Sequence, residues 1–511
     1  MKPTRRKFLS QSTAAAAATP AVGLGGSTAF SQASAAGSLA EENAKKGTTD
    51  WQLTRVRINE GKFRTSLIEG YVSHQSIRAG EKLDFFISTK PERKFTIDVY
   101  RLGFYEGKGG RHMTQLGPFE GKAQAVPEMK PENRLRECEW EATTSLEIPA
   151  DWPSGVYLGK LTTIPESPSE PYWQSYTIWV VRDDRPADVI VGVSDNTWQA
   201  YNQWPVAESL YTDPRGAHAP GVAVSFDRPY GKYTQITQQP LSIGSGEFLL
   251  WEFQIAFWLE QQGYDVSYVS NVDLLEAKSI SRGKVFVSVA HDEYWDVKQF
   301  HAVDEAIRGG LNVLWLCGNS VFIDSPFAPS SSGEPNRIIS RRGCFGELRG
   351  DEIESYARIF DTLKSTAPDE RKIMGVRSVV PFNGGGDWTC RNGDHWVFEG
   401  AGMENGESIP GLVGWEHHGE PDPDREGMET LAEGKVWAGG KREGKYTSVI
   451  FPGPKDNFVF NASTVFWNCG LSQPPGIEVP YSHFSRPHGP DERVQRITKN
   501  LLDRAIAGKG A

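Results

Sequence analysis

The sequence predicts an α/β plus β chain, with a β-sandwich on the N-terminal side and a parallel α/β domain after it. From Trp51 to about Arg182, short apolar runs recur with turn signals between them and no helical period. Beyond Asp183-Asp184-Arg185-Pro186, a polar stretch that ends in proline, continuous apolar runs alternate with helical periodicity. At about 150 residues per domain, 511 residues allow about three domains.

The first 35 residues read as an address rather than as fold. Thr4-Arg5-Arg6-Lys7-Phe8-Leu9 is basic, Ala14 to Ala18 opens a weakly apolar run, and Ala33-Ser34-Ala35 is a small-residue cleavage pattern. Paired arginines before Phe-Leu resemble a twin-arginine export signal, so the chain is expected outside the cytoplasm, in a periplasmic or extracellular space. Residues 36–50 are small and polar and read as a linker.

The sandwich is expected over 51–183, with strands at 82–88, 95–100, 155–161 and 176–181. This spacing indicates roughly the immunoglobulin type. The α/β domain is expected over 187–511. Val189-Ile190-Val191-Gly192-Val193 is apolar throughout, as a strand covered on both faces requires. A helix follows over 248–262, closed by Gly263, then strands at 266–269 and 284–290. A helix over 296–308, closed by Gly309-Gly310, leads to a strand at 311–316. This β-α-β-α-β order predicts a parallel sheet covered by helices. Residues from about 320 to 410 read as an irregular insertion, 428–470 as short strands, and 491–507 as an amphipathic helix with Val494, Ile497, Leu501, Leu502 and Ile506 inward.

Composition narrows the function. Apolar residues are 38% and charged residues 23%, so the chain is globular. The net charge of −10 argues against a general nucleic-acid binder, and no apolar run after residue 36 is long enough for a membrane span. Sixteen Trp, 16 Tyr and 25 Phe suit aromatic-lined pockets. The five cysteines, Cys138, Cys317, Cys344, Cys390 and Cys469, include no C-x-x-C pair, which disfavours a thiolate zinc site. An oxidising compartment permits one or two disulfides among them without specifying a pairing.

In an open parallel sheet, ligands bind beyond the carboxyl ends of the strands. Three such ends are readable: Ser194 to Asn202, His291-Asp292-Glu293-Tyr294-Trp295, and Cys317-Gly318-Asn319-Ser320. The second is chemically densest, although Asp292 or Glu293 could be a helix cap and Trp295 packing. Cys317 could be a nucleophile beside His291 or His395, or a small buried apolar residue. His417 and His418 are adjacent and would face opposite sides of a strand, a poor pair for one metal.

With these residues laid out, the chain resembles the large (beta) subunit of N,N-dimethylformamidase and its relatives. The resemblance runs through Val99-Tyr100-Arg101-Leu102-Gly103-Phe104-Tyr105, Trp152-Pro153-Ser154-Gly155-Val156-Tyr157, Asn196-Thr197-Trp198-Gln199-Ala200-Tyr201-Asn202 and Trp258-Leu259-Glu260. It continues through His291 to Trp295, Gly318-Asn319, Asp394-His395-Trp396-Val397-Phe398 and Gly411-Leu412-Val413-Gly414-Trp415-Glu416. The resemblance implies a glutamine-amidotransferase-like α/β domain and hydrolysis of a small-molecule amide. It also implies one iron, as Fe(III), held by two tyrosines and a glutamate, which are hard oxygen donors suited to that ion. Carried over, Tyr294 matches one tyrosine and Glu416 the glutamate, while Phe253 stands where the second tyrosine belongs. Either Tyr201 substitutes, or the site is degraded, or the correspondence is displaced. Glu293 would act as base and Asn319 would orient a carbonyl or oxyanion, with His291 completing the catalytic group. The family uses a small second subunit, and a homo-oligomer or such a partner is expected here.

Three functions follow: an exported metal-dependent amide hydrolase, a non-catalytic exported binding or structural protein on a degenerate amidase scaffold, and a thiol hydrolase acting through Cys317.

Overall fold

The computed structural model describes residues 38–210, 222–232, 240–349, 364–439, 442–478 and 489–508. The expected export signal lies outside the described residues. Residues 36–511 form one compact unit.

On the N-terminal side two sheets enclose one core. Strands Glu69–Val72, Lys82–Ser88 and Thr144–Glu147 make a three-stranded sheet. Strands Ser76–Arg78, Gln174–Arg182, Gly155–Thr163, Phe95–Leu102 and Gly110–Phe119, in that order, make a five-stranded one. All neighbours are antiparallel except Ser76–Arg78 against Gln174–Arg182. Alternation decides what each face buries. Leu83, Phe85, Ile97, Val99, Tyr157, Leu161 and Trp179 fill the space between the sheets. The intervening residues Tyr100, Val156, Leu158, Tyr176, Ile178 and Val180 point the other way, into a core shared with the rest of the chain. The five-stranded sheet is thus covered on both sides.

The second part is built on a nine-stranded sheet. Val266–Val269, Ala187–Gly192, Gly283–Ala290, Asn312–Cys317 and Phe458–Asn461 lie side by side and parallel. Both faces are apolar, as the unbroken runs require: Val189, Val191, Val285, Val287, Leu314 and Leu316 on one, Ile190, Phe286, Val313 and Trp315 on the other. Helices Phe253–Gln261 and Glu492–Ala507 cover the first face. Helix Val297–Gly309 covers the second, through Phe300, Val303, Ala306 and Ile307.

Three expectations are corrected. The sheet is mixed rather than purely parallel, because Arg442–Pro452, Glu429–Ala438, Gly384–Thr389 and Ser408–Trp415 extend it antiparallel. One of those strands, Gly384–Thr389, falls wholly within the stretch read as an irregular insertion, and Ser408–Trp415 begins at its end; glycine-rich Gly384-Gly385-Gly386 hides the pattern of the first. The stretch read as a linker contains a five-residue helix, Leu39–Asn43, closed by a Ser38–Glu41 capping box. Glu42, 3% exposed, anchors it by accepting hydrogen bonds from the Tyr105 hydroxyl (2.7 Å) and Arg111 Nε (2.6 Å). No disulfide forms either: all five cysteines are buried as thiols.

A buried ion pair joins the two parts. Arg101, from strand Phe95–Leu102, meets Glu260 of helix Phe253–Gln261 at 2.7 Å, and both side chains are fully buried. The guanidinium also donates to the Ser154 carbonyl and the Tyr105 hydroxyl, and the Tyr268 hydroxyl donates to Glu260. Gly103 leaves room for the pair, because a Cβ there would lie 2.2 Å from a Glu260 oxygen. Burial alone would lower the Arg101 pKa, but the Glu260 carboxylate outweighs it and raises that pKa well above its ordinary value.

Removing one partner strands the other charge. Arg101→Leu is expected to cost about 3–5 kcal/mol in chemical denaturation. Arg101→Leu/Glu260→Leu should recover much of that loss; a double variant no more stable than the single one contradicts the assignment.

Candidate metal centre

The carboxyl ends of the parallel strands form one rim, and strained backbone marks it. Strand Gly283–Ala290 ends at Ala290 with φ +54° and leads into His291. Strand Asn312–Cys317 leads into Asn319 at φ +53° and Val321 at +52°. A β-branched residue in the left-handed region is a true outlier, and each such residue costs on the order of 1–3 kcal/mol. Gly318 permits the closest approach: a Cβ there would sit 2.3 Å from the Glu416 carbonyl oxygen. The turn after Cys317 is therefore pressed against the backbone that carries Glu416.

Six side chains converge at this rim. His291 Nε2 lies 3.0 Å from Glu416 Oε2 and 3.4 Å from Glu293 Oε2. Its Nδ1 lies 3.2 Å from Glu247 Oε2. The Tyr201 hydroxyl donates to Glu293 Oε2 at 2.7 Å, and Asn319 Nδ2 donates to Glu416 Oε2 at 3.0 Å. One ligand atom from each of His291, Glu293 and Glu416 lies within 4.8 Å of the others, close enough for all three to hold one ion. All these groups are buried. Rings wall the cluster: Trp415 is 4.9 Å from the imidazole, Tyr201 is 5.1 Å from it, and Tyr294 meets Tyr201 edge-on at 5.9 Å.

Burial would push His291 toward the neutral form. The Glu247 carboxylate hydrogen-bonded at Nδ1, together with the Glu293 and Glu416 carboxylates close to Nε2, outweighs it and raises the imidazole pKa well above its ordinary value. Burial raises Glu293, opposed by its hydrogen bond to His291. In low dielectric, charges this close cannot stand uncompensated.

Much of the motif that carries the site is framework. Thr197 Oγ1 accepts from the backbone N–H of Glu293 (2.9 Å) and Tyr294 (3.3 Å), and Asn196 Nδ2 donates to the Tyr294 carbonyl (3.1 Å). Asp292 accepts from Asn271 (3.2 Å) and Ser288 (2.9 Å) and, pushed up by burial, has a pKa of about 6. Trp295 is core, and Asp296 caps the following helix.

The structure thus brings together Tyr201, His291, Glu293, Glu416 and Asn319, with Tyr294 in the surrounding wall. It separates Phe253 from them. That ring is fully buried in another cluster, against Trp51 at 5.5 Å and Phe248 at 5.8 Å. The position matched to a tyrosine therefore contributes to packing between the two parts and offers the site nothing. Asn319 spends a donor on Glu416, so it positions that carboxylate. Cys317 packs with Trp295 and Trp315, and burial pushes its thiol up to about 12, far from a nucleophile's range. His395 caps a short turn by accepting from the Val397 N–H, and neighbouring Trp396 lies under Arg504 of the last helix.

Glu247 escaped the sequence reading. It precedes an apolar run, where an acid reads as an ordinary helix-start residue. A π-helical turn, Phe248–Glu252, follows it. Such turns concentrate at functional sites, but their register is not readable from spacing.

A family model described as N,N-dimethylformamidase beta subunit-like, C-terminal, matches residues 96–480. No curated protein matches the chain at a significant level.

His417 and His418 yield a pH prediction. Burial lowers His417 to about 3 and His418 to about 4, and among the described residues neither His417 ring nitrogen has a hydrogen-bond partner. Because both folded pKa values are depressed, the unfolded chain binds more protons below about pH 6.5, and stability is lost as pH falls toward 3–4. His417→Leu should shrink the fall in urea midpoint between pH 7 and pH 4.5. An equally steep fall in the variant contradicts this.

Proposed function

The chain belongs to the N,N-dimethylformamidase beta subunit-like family, and from that premise we propose that it is an exported hydrolase of the C–N bond in a small amide. The observation that carries this reading is the meeting of Tyr201, His291, Glu293 and Glu416 at one buried strand-end rim.

The donor set fits a hard cation. Tyr201, Glu293 and Glu416 offer oxygens, and Glu247, Glu293 and Glu416 place three acids around one imidazole. That excess of negative charge in a closed space calls for a compensating positive ion, and phenolate with carboxylate suits Fe(III). Such an ion would supply Lewis acidity to polarise the amide carbonyl and acidify water. Tyr201, Glu293 and Glu416 would hold it.

The chain's own groups do the rest. His291 Nε2, 3.0 Å from Glu416, holds a proton for the departing amine. Asn319 Nδ2 keeps Glu416 turned toward that proton. Trp415 and Tyr294 keep bulk water away and strengthen every charge interaction inside.

The two-sheet unit supports reading the N-terminal part as an immunoglobulin-like sandwich. The parallel half of the central sheet supports a glutamine-amidotransferase-like domain behind it. Export rests on Arg5-Arg6 and Ala33-Ser34-Ala35. Among the described residues no helix is long and apolar enough to cross a membrane. The beta-subunit description of the family supports a second, smaller chain as partner.

Protein purified after export should carry about one iron per chain with a phenolate-to-iron absorption band that Tyr201→Phe abolishes. Release of dimethylamine from N,N-dimethylformamide should fall at least about 100-fold in Glu293→Gln and Glu416→Gln. Iron below about a tenth per chain, with hydrolysis unchanged in both variants, overturns the proposal. Amino-terminal sequencing of the exported protein should begin at Ala36; a start beyond Ser38 would contradict the cleavage site, because it removes the cap of the first helix.

A further inference from the structure

We infer that Glu247 is a positioning residue that holds the His291 ring so that its Nε2 faces Glu416 and Glu293, a role that rests on the amide-hydrolase reading of this site. The imidazole has a carboxylate close to each of its two nitrogens. Nδ1 meets Glu247 Oε2 at 3.2 Å, while Nε2 meets Glu416 at 3.0 Å and Glu293 at 3.4 Å. A histidine's working nitrogen is set by the hydrogen bond its other nitrogen makes. Here Glu247 makes that bond, its carboxylate oxygen accepting when Nδ1 carries the proton.

Glu247 is itself rigidly mounted. Its carbonyl accepts from the Leu250 and Trp251 N–H groups, which start the π-helical turn. Gly246 before it lies against Trp198, where a Cβ would come within 2.8 Å of the indole. At the far end of the same turn, Glu252 accepts from Trp198 Nε1 at 2.6 Å and from the Ser194 N–H at 3.3 Å. The turn is therefore tied to the strand end beside the site, and Glu247 is carried to His291 by backbone whose other contacts are already made. Ala290, at φ +54°, fixes the other end of the arrangement by aiming the His291 backbone. Without an acceptor at Nδ1, rotation about the ring's own axis would exchange Nε2 for a carbon at the Glu416 contact.

The decisive comparison is Glu247→Gln, which keeps an acceptor, against Glu247→Leu, which removes it, with Glu247→Ala standing in if the leucine variant does not fold. In protein labelled with ¹⁵N at histidine and loaded with diamagnetic Ga(III) in place of iron, whose paramagnetism would broaden the signal away, the wild type should show one protected, strongly downfield Nδ1 proton that persists in Glu247→Gln and vanishes in Glu247→Leu. With N,N-dimethylformamide, kcat should fall about 10- to 100-fold in Glu247→Leu at unchanged KM, and stay within about 3-fold of wild type in Glu247→Gln. Iron content and urea midpoint should hold. The inference is overturned if the wild type lacks that proton, if the proton survives in Glu247→Leu, if kcat does, if the glutamine variant is as impaired as the leucine one, or if Glu247→Leu loses its iron. Absence of amide hydrolysis in the wild type would defeat the proposed function instead, and the proton signal would still decide the role of Glu247.

Discussion

One imidazole shared among three buried carboxylates sets the terms for the rest of this molecule. His291 lies within 3.4 Å of oxygens from Glu247, Glu293 and Glu416. A carboxylate buried without compensation is too costly to keep, so the fold must deliver these groups together or not at all. It does so by using the strand ends, the one place in a parallel sheet where separate stretches of chain meet at a common edge. The cost is visible in the backbone: Ala290, Asn319 and Val321, all with positive φ, sit at the two turns that present His291 and hold Glu416.

A second buried charge system does a different job. Arg101 and Glu260 close the contact between the two-sheet unit and the helix that covers the central sheet. This divides the family-like motifs by purpose. Val99 to Tyr105, Trp152 to Tyr157 and Trp258-Leu259-Glu260 build that junction. Asn196 to Asn202 and His291 to Trp295 build the site, most of their polar groups supporting backbone rather than facing substrate. Asp394 to Phe398 seats the last helix, whose Asn500 donates to the Val397 carbonyl. Both charge systems share one design: their acids meet a cation and oriented neutral donors in the interior.

Periodicity made the regular elements legible. The strand at 82–88, the strand at 266–269 and the helix after Asp296 appear where alternation, apolar continuity and capping place them, because each pattern is enforced within a few residues. Gly384–Thr389 was not legible, since three glycines in a row show no alternation and pairing with Ser408–Trp415 and Glu429–Ala438 supplies what local preference lacks. The helix at Leu39–Asn43 was hidden for a related reason: five residues have little helical preference of their own, and docking through Glu42 stabilises them.

By itself the sequence determined the strand-and-helix alternation, the boundary near Pro186, and the three stretches that would share an edge. Local spacing encodes all of these. It also identified Tyr201, His291, Glu293, Asn319 and Glu416 as residues of interest. Only the tertiary structure decided how they are used. Phe253 went to a hydrocarbon core, Cys317 was silenced by burial, and Glu293 met the Tyr201 phenol. Glu247, separated from His291 by 44 residues, became its second partner. Such pairings depend on strand order, turn geometry and the direction in which each side chain leaves the backbone, and none of these is carried by residue type or spacing along the chain.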